Sequence, residues 1–243
     1  MIIDLKFREI LRLLRGFVKS KEILPGRRQI QIYYQDIMSM PLRKIAEKNG
    51  TDKGGRFIDS TNIHAYTDFY FILLSSRRFE KLAILECGIG SNDIHVPSNM
   101  GLNGKPGASL RMWKEFFPNA MIFGCDIDPK TLITEDRIQT FEVNQLDKES
   151  FRNKLQSLNK TFDIIIDDGL HSFESITNML SVAFEYLDTN GIYVVEDLDT
   201  SLIARLAIVL ENIDSHVHHY FINFREKNYR DQGGWLLIVQ RYR

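Results

Sequence analysis

From residue 82 onward the chain alternates between two hydrophobic rhythms. Continuous apolar runs at 82–87, 121–126, 138–143, 162–167 and 191–196 predict strands. Between them, 109–117, 148–158, 172–187 and 201–213 place apolar residues at helical spacing. Residues 216–224 and 235–241 predict a closing strand pair, joined by the polar turn around 231–234. Strands that are apolar on both faces and separated by helices predict a parallel sheet covered on both sides, a Rossmann-like α/β fold.

The first eighty residues read differently. Ile3, Phe7, Ile10, Leu11, Leu14, Phe17 and Val18 recur at helical spacing, which predicts an amphipathic helix over 3–19. Its polar face is basic. The helix suits packing on the main domain or a second subunit, or peripheral attachment to an anionic membrane. A short strand is expected over 29–34, a short helix with proline at its start over 41–48, a loop over 49–57 and a helix over 64–76.

Ligands of open α/β sheets bind at the carboxyl ends of the strands. Polar residues gather at five such ends: 86–90, 126–128, 144–147, 167–171 and 196–197. The turn at Gly88 and Gly90 would let the backbone approach a ligand closely. Asp126, ending the next strand, can accept from both hydroxyls of a ribose. Dinucleotide binding prefers a third glycine and a helix opening at once. Here Ser91, Asn92 and Asp93 follow, and a loop runs to residue 107. An S-adenosylmethionine ligand has no pyrophosphate to hold, and its sulfonium tolerates acidic neighbours such as Glu86. Asp128 and Asp167 join this cofactor-facing set.

The strand ends also carry Asp168, His171, Glu196 and Asp197. Each acidic pair alone reads equally well as a helix cap or solvated loop. Together they repel unless a cation lies between them, and hard oxygen donors favour Mg²⁺ or another divalent ion. A sugar hydroxyl attacks a methyl sulfonium slowly at neutral pH. A divalent ion lowers its pKa, and a histidine can take the proton. Asp168, Glu196 and Asp197 are the expected metal ligands. His171 is the expected base, with Asp168 beside it in the catalytic set. A structural role for His171 stays open.

Composition changes this picture little. The 243 residues are 44% hydrophobic and 26% charged with net charge −1, so no basic footprint points to nucleic acid. Two cysteines, Cys87 and Cys125, make a zinc cluster an unsuitable reading. Free thiols agree with a cytoplasmic location. The first residues show no secretory pattern, and no run is long and apolar enough for a membrane span.

The segments GTDKG (50–54), His64-Ala65-Tyr66, LECGIG (85–90), PGASLRMWKEFFPNA (106–120), FGCDID (123–128), VNQLD (143–147), IIDDGLH (165–171) and VEDLDT (195–200) carry a family resemblance. The chain resembles class I S-adenosylmethionine-dependent methyltransferases, specifically the metal-dependent sugar O-methyltransferases of macrolide (mycinamicin-type) and bacterial surface-polysaccharide biosynthesis. The resemblance implies a mostly parallel seven-stranded sheet with an antiparallel C-terminal strand and a small N-terminal helical segment. It implies an oligomerisation segment at 1–50 and a methyltransferase domain at 51–243. It aligns Asp168, Glu196 and Asp197 with Mg²⁺ ligands and His171 with the base. Glu86, Gly88, Asp126, Asn144 and Gln145 align with the cofactor pocket, and Thr51, Lys53 and Tyr66 with positions near cofactor or substrate. A homo-oligomer acting on a small-molecule or glycan acceptor, such as a nucleotide-linked sugar, follows. Methylation of a catechol-like diol, or a non-catalytic cofactor-binding subunit, stays open. The chain departs from the pattern at Leu170, where serine is common, and in the loop 91–107, expected to be a lid over the substrate.

Overall fold

The computed structural model describes residues 18–24, 27–34, 41–54, 66–212, 217–226 and 234–241. Their strands form one ten-stranded sheet, in the order β1-β2-β9-β10-β8-β7-β3-β4-β6-β5. The strands are β1 Val18–Leu24, β2 Arg27–Tyr34, β3 Ala83–Cys87, β4 Met121–Asp126, β5 Thr134–Glu135, β6 Ile138–Glu142, β7 Phe162–Asp167, β8 Leu187–Leu198, β9 Val217–Glu226 and β10 Trp235–Arg241. The helices are α1 Pro41–Asn49, α2 Tyr66–Leu74, α3 Ala108–Phe116, α4 Lys148–Leu158, α5 Phe173–Ala183 and α6 Thr200–Glu211.

The seven expected strands, β9-β10-β8-β7-β3-β4-β6, are contiguous. Strands β6, β4, β3, β7 and β8 run parallel, and β10 is antiparallel to both neighbours. The additions are the short β5 and the antiparallel pair β1–β2, whose β2 joins β9 in parallel. The expected helix over 3–19 lies outside the described residues up to 17. At Val18 and Lys19 the chain is strand, a correction to that expectation. Sheet pairing prevails there because the β-branched and alternating segment 27–34 supplies a partner edge.

Period-two alternation sorts the core into two layers. Leu85, Ile165, Tyr193 and Val195 pack toward α4, α5 and α6 with Phe151, Leu180 and Leu206. Ile84, Ile164, Ile166 and Val194 pack toward α1, α2 and α3 with Leu42, Tyr70 and Trp113. Side-chain caps start the helices after the strands: Asp147 accepts from Ser150 N, Ser172 forms a capping box with Ser175, and Asp199 accepts from Ser201 N and Leu202 N. The strand order reverses between β3 and β7, so their carboxyl ends form the crevice where such sheets take ligands. No helix among the described residues is long and apolar enough to cross a membrane.

Candidate active site

Parity places the first charges. Glu86, Asp168 and Glu196 share the even-numbered phase of β3, β7 and β8, and so face α1–α3 with Ile84, Ile166 and Val194. The short turn Asp52–Gly54 inserts Lys53 there. Its ammonium donates to Asp168 Oδ2 at 2.5 Å and Glu196 Oε2 at 2.7 Å, and lies 3.4 Å from Glu86 Oε1. The lysine is 2% exposed and Glu86 is fully buried. Burial alone would lower the Lys53 pKa, but Asp168, Glu196 and Glu86 outweigh it and hold it well above the usual lysine range. Burial pushes Glu86 up to about 7 against the pull of Lys53, and raises Glu196 and Asp168 in the same way.

Helix α2 closes the cluster from above. Tyr66 and Tyr70 are four residues apart and so share one helix face. Tyr66 Oη donates to Asp197 Oδ1 at 2.5 Å, and Tyr70 Oη to Glu196 Oε1 at 2.6 Å. Trp113 Nε1 donates to Glu86 Oε2 at 2.9 Å.

Asp197 departs from simple alternation. Its backbone is left-handed, φ 53°, and the register of β8 against β10 shifts between Trp235 and Leu237. An extra residue on β8 is a bulge, which re-aims a side chain. Asp197 thereby joins Asp168 and His171, whose backbone is also left-handed at φ 54°. His171 Nε2 lies 3.9 Å from Asp168 Oδ1 and 4.0 Å from Asp197 Oδ2. These spacings exceed hydrogen-bond length. Donor atoms of Asp168, His171 and Asp197 all lie within 4.8 Å of one another. Glu196 is outside that group, because Lys53 and Tyr70 engage its two oxygens. Of the expected ligands, Asp168 and Asp197 are in this group, and Glu196 borders it through the Lys53 ammonium it shares with Asp168. Two half-buried carboxylates side by side are a donor set that suits Mg²⁺, which is commonly bound through one or two carboxylates with other positions left to water or substrate.

The glycine turn borders this group. Gly88 has φ +85°, and a Cβ there would sit 2.0 Å from the Asp168 carbonyl oxygen. Gly88 is glycine because β7 passes so close, a reason the sequence does not reveal. Gly90, at φ +90°, is covered by Met100, whose Cε would lie 2.1 Å from an added Cβ. Asp126 Oδ2 accepts from Ile89 N and Gly90 N, and its Oδ1 from Asp128 N. A carboxylate offers about four acceptor positions, so the turn's own amides take most of this one. Asp128 accepts from Ser91 Oγ and Lys130 N, which together lower its pKa, and it caps a short turn. Large apolar side chains are nevertheless exposed beside these strand ends: Ile127 at 45% and Leu146 at 44%.

The loop 91–107 packs on this turn. Met100 N donates to Ser91 O, Gly107 N to Ile89 O, and Ser98 Oγ to Leu170 O. Gln145 Nε2 donates to Asp167 Oδ1 at 2.7 Å and its Oε1 accepts from Leu170 N, so it braces the segment leading to His171. Tyr193 Oη donates to Asp167 Oδ2 at 3.0 Å. Burial raises Asp167 to about 6 despite these donors. Asp167 and Gln145 therefore serve the wall of the crevice. Asn144 is exposed and caps the turn after β6, and Thr51 is buried beneath α1.

Sequence reasoning missed Tyr70, Trp113 and Tyr193. Each looked like core, and each carries a polar tip that a buried carboxylate uses. Asp199 also went unnoticed as the residue of the EDLD run that caps α6.

No family model matches the chain. L-olivosyl-oleandolide 3-O-methyltransferase of Streptomyces antibioticus is 35% identical over 161 residues, covering 66% of this chain and 38% of that protein. Mycinamicin VI 2''-O-methyltransferase of Micromonospora griseorubida is 34% identical over 139 residues, covering 57% and 33%. The chain thus spans well under half the length of these relatives. Among solved structures, the MycE methyltransferase of the mycinamycin pathway, in complex with Mg, SAH and mycinamycin VI, aligns with TM-score 0.63 and 23% identity over 85% of this chain and 56% of that one. A putative O-methyltransferase from Klebsiella pneumoniae aligns at TM-score 0.51 and 14% identity, over 85% of this chain and 92% of that one. The solved structures speak for the fold, and the sequence relatives narrow the resemblance. The chain has the class I S-adenosylmethionine-dependent methyltransferase fold and resembles in sequence the sugar O-methyltransferases of macrolide and polyketide pathways.

Proposed function

We propose that this protein transfers the methyl group of S-adenosylmethionine to a hydroxyl of a sugar on a small glycosylated molecule or glycan precursor, with Asp168 and Asp197 holding a divalent cation. The observation that carries the reading is the convergence of Asp168, Asp197 and His171 beside the Gly88 turn. The relatives' names point to sugar hydroxyls as acceptors. Exposed Ile127 and Leu146 flank the ends of β4 and β6, and offer apolar surface for an adenine ring next to Asp126. A cytoplasmic homo-oligomer is part of the same reading.

When bound, the cation lowers the pKa of an acceptor hydroxyl, and the sulfonium presents an electrophilic methyl carbon. The chain's residues do the rest. His171 Nε2, close to both aspartates, takes the hydroxyl proton as the new C–O bond forms and the C–S bond breaks. Its electron pair goes to sulfur, giving S-adenosylhomocysteine and a methyl ether. Asp168 and Asp197 orient the attacking oxygen, and Tyr66 fixes Asp197 from behind. Met100 and the loop 91–107 cover the turn and keep water from the methyl group.

Calorimetry with S-adenosylhomocysteine and NAD⁺ tests the cofactor assignment. S-adenosylhomocysteine is expected to bind and NAD⁺ not. The reverse order of affinity would overturn the reading.

A further inference from the structure

A buried side-chain amide needs partners at both of its ends. Gln145, just past β6, is 7% exposed and has them. Its Nε2 donates to Asp167 Oδ1 at 2.7 Å, and its Oε1 accepts from Leu170 N at 2.8 Å. We propose that Gln145 is a positioning residue for His171, acting through the Leu170 amide one residue before it. The inference rests on the reading of His171 as the base of a methyl transfer.

The run from Asp168 to His171 leaves β7 as irregular backbone. Asp168 N donates to Cys87 O at 2.8 Å, which ties the start of the run to β3. Ser172 ties its far side through the capping box with Ser175. Between these anchors the backbone reaches a left-handed φ of 54° at His171. Gln145 takes hold in the middle, at Leu170. The fit is close, since a Cβ on Gly169 would lie 2.1 Å from Gln145 Oε1. Position 169 is therefore glycine because the amide fills that space. An ionised Asp167 only accepts, so Nε2 faces it and Oε1 is left for Leu170. Tyr193 Oη donates to the other Asp167 oxygen at 3.0 Å, and Asn178 of α5 donates to the Gln145 carbonyl at 3.3 Å. Tyr193, Asp167, Gln145 and Leu170 form one chain of hydrogen bonds that ends beside His171.

Amide hydrogen exchange on the full chain, without cofactor or acceptor, reads the contact itself. In Gln145→Met the Leu170 amide is expected to exchange about tenfold or more faster than in wild type. Methyl transfer to a rhamnosylated acceptor reads the consequence. Gln145→Met is expected to lower kcat by about tenfold or more, as for a misplaced reacting group, with S-adenosylhomocysteine affinity within about threefold of wild type. In a His171→Ala background the same change is expected to add no further loss, because residues that act as a unit are not additive. A reversed bond gives the rescue. Gln145→Glu sets two carboxylates together; adding Asp167→Asn lets the asparagine donate while the glutamate still accepts from Leu170. The double variant is expected to recover at least about fivefold of the kcat lost in Gln145→Glu. An unchanged Leu170 exchange rate in Gln145→Met would overturn the proposal, as would a loss that persists undiminished in the His171→Ala background. S-adenosylhomocysteine affinity that falls in step with kcat would overturn it by making Gln145 a cofactor contact. If Gln145→Met does not fold, Gln145→Glu and its rescue decide, and absence of recovery overturns the proposal. Wild-type protein that binds no S-adenosylhomocysteine would remove the methyl-transfer reading itself, and the role at His171 with it.

Discussion

His171 and Asp197 face each other across 4.0 Å, and both hold left-handed backbone, at φ 54° and 53°. Aspartate and histidine enter this region more often than most side chains, yet it still costs on the order of 1 kcal/mol at each position. The fold keeps it at the two places where the proposed base and a proposed cation ligand must meet.

Glycine relieves that strain while deleting the side chain. His171→Gly is expected to be at least as stable as wild type in urea denaturation, and more stable than His171→Ala. Its methyl transfer is expected to fall by about 10²–10⁴, the range for a lost general base. A His171→Gly protein with near-normal turnover would exclude His171 as the base.

Tyr66 separates two roles. Its hydroxyl lies on Asp197, so Tyr66→Phe is expected to lower kcat by about tenfold and stability by about 2 kcal/mol, as for a lost hydrogen bond to a charged group. S-adenosylhomocysteine affinity is expected to stay unchanged. A selective loss of that affinity would place Tyr66 on the cofactor instead.

Gly88→Ala would force a Cβ to within 2.0 Å of the Asp168 carbonyl oxygen at a φ of +85°. Backbone must move, so a loss of about 3 kcal/mol or more is expected. Mn²⁺ binding should weaken with it, because Asp168 shifts. Equal stability of variant and wild type would show that the turn and β7 are not in contact as described.

Asp167 gives a pH signature. In the fold it keeps its proton up to about pH 6, against 3.8 for the unfolded reference. Between these values the folded state binds more protons, so this group's contribution to stability is lost as pH rises through the window and is constant above it. At about 1.4 kcal/mol per unit, the full effect is on the order of 3 kcal/mol. Wild type should therefore lose stability relative to Asp167→Asn as pH is raised from 4 to 6.5. Parallel stability curves for the two proteins would reject the assignment.

Much of this architecture was legible in sequence. The bounds of β4, β7, β10 and α4 follow from apolar runs and periodicity without adjustment. The strand-end rule led to Asp168, His171 and Asp197 because polar residues at the ends of buried strands have few other reasons to cluster. The N-terminal pairing of β1 with β2 was not legible, since Val18 also completes a helical stripe. The fate of Glu196 was hidden too. Its neighbour Asp197 has the same chemistry, and only the bulge at their junction sends one inward to Lys53 and the other to the crevice. The bonds that Asp126 accepts from amides of the turn it ends beside were not legible either.

The most direct measurement follows isotope-labelled methyl from S-adenosylmethionine into rhamnosylated or olivosylated acceptors by mass spectrometry, with Mg²⁺ and with EDTA. The account expects labelled methyl ether and S-adenosylhomocysteine in equal amounts with Mg²⁺, and loss of both with EDTA and in Asp168→Asn. Methyl transfer that proceeds undiminished in EDTA and in Asp168→Asn would contradict it.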